Sequence, residues 1–139
     1  MANALFAAYR TSVLTAPVNL TSATIRAMFV DHADDTPVPA TDDFINDIAS
    51  AARVPALASC PALGTKTAGT VAAGVFRAAD TVFTTLSGDQ SESLILFEDS
   101  GTESTSDLIA FWDTATGLPL TPNGADVTVV WSASGIFTF

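Results

Sequence analysis

Residues 93–131 read SLILFEDSGTESTSDLIAFWDTATGLPLTPNGADVTVVW, and this stretch decides the fold. It holds three apolar runs, at residues 94–98, 108–112 and 127–131. Each run has the length of an ordinary strand and is too short for a full helix. The links between them carry turn residues, at 99–102 and at 122–124. The pattern predicts an antiparallel three-strand meander that forms a core rather than an active site.

The first two runs are apolar on both faces of the pleat. Leu94 and Leu96 point one way, and Ile95 and Phe97 point the other. Such strands are covered on both sides, as in the middle of a sandwich or beneath an assembly partner. The third run is more one-sided, with Val127, Val129 and Trp131 on one face, and we expect it to border the other two.

The rest of the chain predicts two helices and several short strands. Residues 3–14 have apolar positions at helical spacing, with Asn3 as the N-cap and Pro17 as the stop. Residues 41–49 predict a short helix that begins at Thr41. The remaining strand candidates lie at 24–30, in one or two weak edge segments between 53 and 71, at 75–76, at 81–85 and after Gly135. An aromatic residue at the last position, Phe139, predicts a tied-down end.

These elements predict a mainly β fold within a single domain spanning residues 1–139. An antiparallel β-sandwich or jelly-roll-like arrangement, with one N-terminal helix and one short helix near 41–49, fits the inventory of strands. A chain of 139 residues is long enough to bury one core.

The composition is unusually apolar. Hydrophobic residues make up 48% and charged residues 14% of the chain, against about 25% charged in typical soluble domains. No apolar run approaches the roughly 18 to 20 residues of a membrane-spanning helix. Either Ala, Thr and Ser cover a neutral surface, or part of the exterior is buried against other subunits. We favour the second interpretation.

The charge argues against anionic partners. The net charge is −10, and the five basic residues are scattered through the sequence. We therefore expect no nucleic-acid binding and no docking on anionic membranes. Cys60 is the only cysteine and cannot form an intrachain disulfide, and the N-terminus has no basic segment before an apolar one. We expect synthesis and folding in a cytoplasm.

The residues that could carry chemistry lack supporting motifs. His32 and Cys60 are the only residues of their kinds, and neither lies in a nucleophile motif. Asp31, His32, Asp34 and Asp35 form the one cluster where a divalent cation could bind, but the order of a calcium loop is missing and a solvated loop is the favoured interpretation. We therefore predict no catalytic residue, no metal, no cofactor and no enzymatic activity.

Two tryptophans leave a question open. Trp112 and Trp131 could form a sugar-binding platform if they were exposed. Apolar neighbours in strand positions favour packing in a core or an interface.

Several motifs carry a resemblance to a known group of proteins. These motifs mark turns and strands rather than catalytic residues. They are MANALF at 1–6, NLTS at 19–22, residues 25–31, DFINDI at 43–48, ARV at 52–54, GVFRAAD at 74–80, DSGT at 99–102, DTATGLP at 113–119 and TPNGAD at 121–126. Together they resemble small structural proteins of tailed bacteriophages, in particular capsid cement (decoration) proteins.

The resemblance implies a sandwich or jelly-roll fold and a place on the outer face of a capsid shell. The partners it implies are the major capsid protein and further copies of the chain, as a dimer or trimer. The expected interface residues are apolar or irregular positions outside the predicted core. They are Leu5, Phe6, Tyr9, His32, Asp34, Pro37, Pro39, Phe137 and Phe139. A tail, connector or fibre-associated virion protein and a carbohydrate-binding β-sandwich module remain as alternatives.

Overall fold

The strands of the protein form three antiparallel sheets beside one α-helix in the part of the chain described by the computed structural model, residues 3–16, 19–70 and 72–139. The helix α1 is Ala7–Thr15, and single 3₁₀ turns lie at Ile45–Asp47, Ser50–Ala52, Leu57–Ser59 and Glu103–Thr105. The strands are β1 (Ala4–Leu5), β2 (Ile25–Val30), β3 (Arg53–Val54), β4 (Thr67–Ala68), β5 (Val75–Arg77), β6 (Thr81–Phe83), β7 (Ser93–Glu98), β8 (Leu108–Trp112), β9 (Val127–Val129) and β10 (Phe137–Thr138).

The largest sheet has the strand order β1-β8-β7-β2-β3. Its middle strands β7 and β2 pair along their full lengths, from Ile25 opposite Glu98 to Val30 opposite Ser93. Residues 93–97 are buried one after another, as the two-sided apolar pattern predicts. The pairing of β7 with β8 and their place in the core are confirmed.

The predicted pairing of the third meander strand is wrong. Val127–Val129 pairs with β6, not with β8, and these two strands form a separate sheet. The edge of β8 that faces away from β7 is occupied by β1, because Ala4 lies opposite Phe111 and Leu5 lies opposite Ala110. With that edge occupied, the chain after β8 leaves the central sheet.

The predicted N-terminal helix exists but begins later than residue 3. Since Ala4–Leu5 pairs with β8, Phe6 becomes the N-cap and α1 starts at Ala7. Asn3 does not cap the helix; its side-chain Oδ1 accepts hydrogen bonds from the backbone N–H of Asp113 (3.1 Å) and of Thr114 (3.3 Å). The predicted stop at Pro17 lies outside the described residues.

The helix predicted near 41–49 is wrong in extent and in its cap. Only Ile45–Asp47 is helical there, as a 3₁₀ turn. Asp47 rather than Thr41 organises the segment, because its Oδ2 accepts hydrogen bonds from the N–H groups of Asp43 (2.9 Å) and Phe44 (3.1 Å). The acidic side chain thus satisfies backbone donors that would otherwise be left open.

The third sheet, β10-β5-β4, holds the end of the chain. Phe139 N donates to Gly74 O at 3.0 Å, so the predicted tied-down end is confirmed. Gly74 has a φ of +77°, and a Cβ there would lie 2.6 Å from the carbonyl oxygen of Phe139, so only glycine permits this approach. The aromatic ring of Phe139 lies 6.0 Å from that of Tyr9 on α1.

The mainly β, antiparallel class is confirmed, whereas a jelly-roll order is not. The weak segment between 53 and 71 contains two edge strands, β3 and β4, as expected. No helix among the described residues is long and apolar enough to cross a bilayer.

Candidate functional site

An apolar groove of about 550 Å³ lies between the central sheet and the segments before and after β9. Phe29 and Leu94 of the core line it, together with Trp112 and Trp131. We call it the tryptophan groove. Every residue that lines it is uncharged, although the chain contains 20 charged residues (5 basic and 15 acidic).

Both tryptophans are positioned by strands. Trp112 ends β8 and lies opposite Leu94 on β7. Trp131 follows β9, and its indole Nε1 donates to Thr81 Oγ1 at 3.0 Å while its backbone N donates to Asp80 Oδ1 at 3.1 Å. The ring centroids are 5.7 Å apart with an interplanar angle of 52°, so the rings form a tilted pair.

Exposed apolar side chains continue from the groove onto the neighbouring sheet. Val130 lines the groove and is 72% exposed, and Val82 on β6 is 43% exposed. Strands β6 and β9 form a sheet of two strands, so each has one edge that the sheet itself leaves unpaired. Apolar surface beside strand edges is typical of surfaces that bind other chains.

The groove offers a mainly apolar surface with a few hydroxyl groups. Its side-chain hydroxyls are those of Thr116, Thr128 and Ser132, and none of its residues is an acid or a base near neutral pH. The groove can therefore gain free energy by removing apolar surface from water, at about 25 cal/mol per Å².

Four of the nine predicted interface residues have buried side chains, and the interface stays a prediction. The side chains of Phe6 and Tyr9 are buried in the core, because β1 presses this segment onto β8, and Pro37 and Pro39 are buried as well. Such side chains cannot present surface to a partner in this conformation. The other five stay predictions: Leu5, His32 and Phe137 are half-buried, and Asp34 and Phe139 are exposed.

Sequence reasoning missed Val130 as a surface residue and missed the groove itself. The alternation of residues 127–131 gave the correct signal, since Val130 falls on the face opposite Val129 and Trp131. The error lay in placing this strand beside β8, because β9 pairs with β6 in a separate sheet.

The acidic loop gathers a different set of residues from the one predicted. Carboxylate oxygens of Asp31, Asp34 and Asp89 lie within 4.8 Å of one another, and Asp89 comes from the turn before β7. His32 is turned elsewhere, with Nε2 2.8 Å from Ser93 Oγ. Asp35 Oδ2 accepts a hydrogen bond from Ala49 N at 2.7 Å. Exposed carboxylates commonly gather in this way without an ion, so the cluster alone does not support a metal site.

Cys60 is a buried free thiol. Burial raises its pKa to about 12, against the smaller opposing effect of Arg26 and Arg53. A thiol that stays protonated near neutral pH is a poor nucleophile.

Comparison with protein-family models and with curated proteins finds no match.

Proposed function

We propose that the protein is a non-enzymatic structural protein of a tailed-bacteriophage virion. In this proposal it binds the outer capsid surface and cements neighbouring major capsid subunits. The proposal rests on the sequence resemblance and on one structural observation, the uncharged tryptophan groove with Val130 exposed at its side. A cement protein works by burying surface across subunit joints and needs no reactive group.

The distribution of charge supports an apolar mode of docking. Arg26 is paired with Asp99 at 2.6 Å, and Arg53 with Glu103 at 2.8 Å, so two of the five basic side chains are engaged within the molecule. The remaining charge is strongly acidic. Contact with a shell then gains most from uncharged surface, because burying unpaired carboxylates is costly.

The test is binding of the purified protein to particles that lack it. Wild-type protein should sediment with the particles and raise the temperature at which they release DNA. Val130→Asp places a charge at the groove and should lower occupancy at least about tenfold, since a buried unpaired charge costs several kcal/mol.

Ala58→Asp is the matched control, because it adds the same charge at an exposed position outside the groove. It should bind as the wild type does. If neither wild-type protein nor control associates with particles, the virion proposal fails. If Val130→Asp binds as tightly as the control, docking through the groove fails while the virion role stands.

A tail, connector or fibre-associated role would leave the same composition and fold. Band intensity in purified virions separates the two roles. A shell-binding protein should approach the copy number of the major capsid protein, whereas a tail or connector protein should be present in a ring-like number far below it.

A carbohydrate-binding module is the second candidate, and the tilted pair of Trp112 and Trp131 in an open groove favours it. Stacking of a sugar ring would quench their fluorescence. Quenching by glycans that is lost in Trp112→Ala would support this role, and fluorescence unchanged by a panel of glycans would remove it.

A further inference from the structure

The helix α1 is seated on a buried polar cluster at the end of the core strands. Tyr9 of α1 is only 1% exposed. Its hydroxyl is buried, and none of the residues that the structure describes forms a hydrogen bond with it. A buried hydroxyl without a hydrogen-bond partner lowers stability, so the burial of Tyr9 weakens the packing of α1 on the core.

Two half-buried carboxyl groups lie in the same cluster. Glu98 ends β7, Asp107 precedes β8, and Glu98 N donates to Asp107 O at 2.9 Å, which places the two acids side by side on adjacent strands. Asp107 Oδ2 also accepts a hydrogen bond from Ser12 Oγ of α1 at 3.4 Å. The helix therefore contacts Asp107 of this acidic pair directly.

The cations of the neighbouring elements are engaged elsewhere or exposed. Arg26 on β2 is bound to Asp99 at 2.6 Å, and Arg10 on α1 is exposed to solvent. Phe139, which packs on Tyr9 from the other side, contributes an aromatic ring. The charge that acts on Glu98 is that of Asp107, which has the same sign.

The two carboxyl groups titrate at higher pH than usual. Burial raises the pKa of Glu98, and the Asp107 carboxylate raises it further. Burial also raises the pKa of Asp107, which the Ser12 hydrogen bond partly offsets. Burial, with the charges of both acids, raises the pKa of the Tyr9 phenol, so Tyr9 stays neutral while the carboxyls titrate.

We propose that α1 is a pH-dependent latch, seated firmly on Glu98 and Asp107 when at least one carboxyl is protonated and loosened when both are ionised. A protonated carboxyl relieves the repulsion between the two acids beneath the helix.

The sign follows from proton linkage. With α1 seated, the pair holds protons more tightly than it does with α1 released and the acids in water. The seated state is therefore favoured at low pH, and this advantage is lost as pH rises from the ordinary carboxyl range through the raised pKa values. The helix should open most readily at neutral and alkaline pH.

Tyr9 is the only tyrosine, so ring-¹³C-labelled tyrosine gives one NMR signal that reports on the seat of α1. Amide hydrogen exchange of Arg10 and Ala16, which donate to Phe6 O and Ser12 O, reports on the helix itself. After correction for the intrinsic exchange rate, protection should fall at least about threefold from pH 4, within the ordinary carboxyl range, to pH 7.5, and the Tyr9 signal should shift over the same range.

Glu98→Gln combined with Asp107→Asn removes the titration and retains groups of similar shape. This double variant should show protection at pH 7.5 equal to that of the wild type at pH 4, and no pH dependence. Asp89→Asn changes an exposed acid on the turn before β7 and is the control, which should behave as the wild type. Protection of α1 that is independent of pH in the wild type, or equally pH-dependent in the double variant, would overturn the latch. Neither result bears on particle binding, which Val130→Asp tests separately.

Discussion

At the scale of single residues, Arg53 fixes the irregular segment before β3. Its Nε donates to Ile48 O at 3.0 Å, and its Nη2 donates to Ile45 O at 3.1 Å and to Glu103 Oε2 at 2.8 Å. The side chain is 7% exposed, whereas that of Glu103 is 48% exposed. From the sequence Arg53 was only one of five scattered cations, because its main partners are backbone carbonyls, which leave no signature in residue types.

Arg53→Met should lower the free energy of unfolding by about 1–3 kcal/mol, because it leaves the carbonyl of Ile48 without the Arg53 donors and takes one of two donors from Ile45 O, which still accepts from Ile48 N. Glu103→Gln should cost no more than about 0.5 kcal/mol, since its side chain is half exposed. Urea unfolding of both variants measures the difference. Equal losses would show that the ion pair, rather than the carbonyl contacts, holds this segment.

At the scale of elements, local patterns predicted β2, β7 and β8, whose apolar runs are long and buried. They did not predict which strand covers the free edge of β8. That edge is taken by Ala4–Leu5, two residues with good helical character whose extended form is imposed by tertiary pairing. The late start of α1 and the departure of β9 from the central sheet both follow from this one contact. The groove then arises where β9 faces the end of the sheet, so it depends on long-range pairing and could not be inferred from spacing.

Asn3→Ala should loosen β1. The Asn3 amide oxygen accepts hydrogen bonds from the N–H groups of Asp113 and Thr114 and, at 2.8 Å, from Thr114 Oγ1, so its removal should cost about 1 kcal/mol and speed amide exchange at Phe6. Asn46→Ala, at an exposed position in a 3₁₀ turn, is the matched control and should change neither quantity. Unchanged exchange at Phe6 in Asn3→Ala would mean that β1 is held by the pairing with β8 alone.

At the scale of the whole molecule, four acidic residues form two pairs with opposite effects on stability. Asp99 and Glu103 are held by donors: the N–H of Gly101 and then Arg26 lower the pKa of Asp99, and Arg53 lowers that of Glu103. Burial raises the pKa of Glu98 and the pKa of Asp107. The net charge of −10 therefore includes carboxylates that stabilise the fold at neutral pH and others that destabilise it. Composition predicts the sum of these charges but not their individual environments, which depend on the register of β2, β7 and β8.

Two single variants should separate the groups by their dependence on pH. A carboxyl with a lowered pKa contributes stability that is present above its ordinary pKa and lost as pH falls through the folded value. Asp99→Asn should therefore be less stable than the wild type at pH 7, and the difference should shrink as pH falls below the ordinary range of Asp. Glu98 has a raised pKa, so its ionisation weakens the fold, and Glu98→Gln should be more stable than the wild type at pH 7 and should also converge on acidification. Chemical unfolding of the three proteins from pH 3 to pH 7 measures both differences. If both variants were more stable than the wild type at pH 7, or both less stable, the opposite roles of Asp99 and Glu98 would be contradicted. Such a result would mean that the two substitutions perturb the structure in the same way.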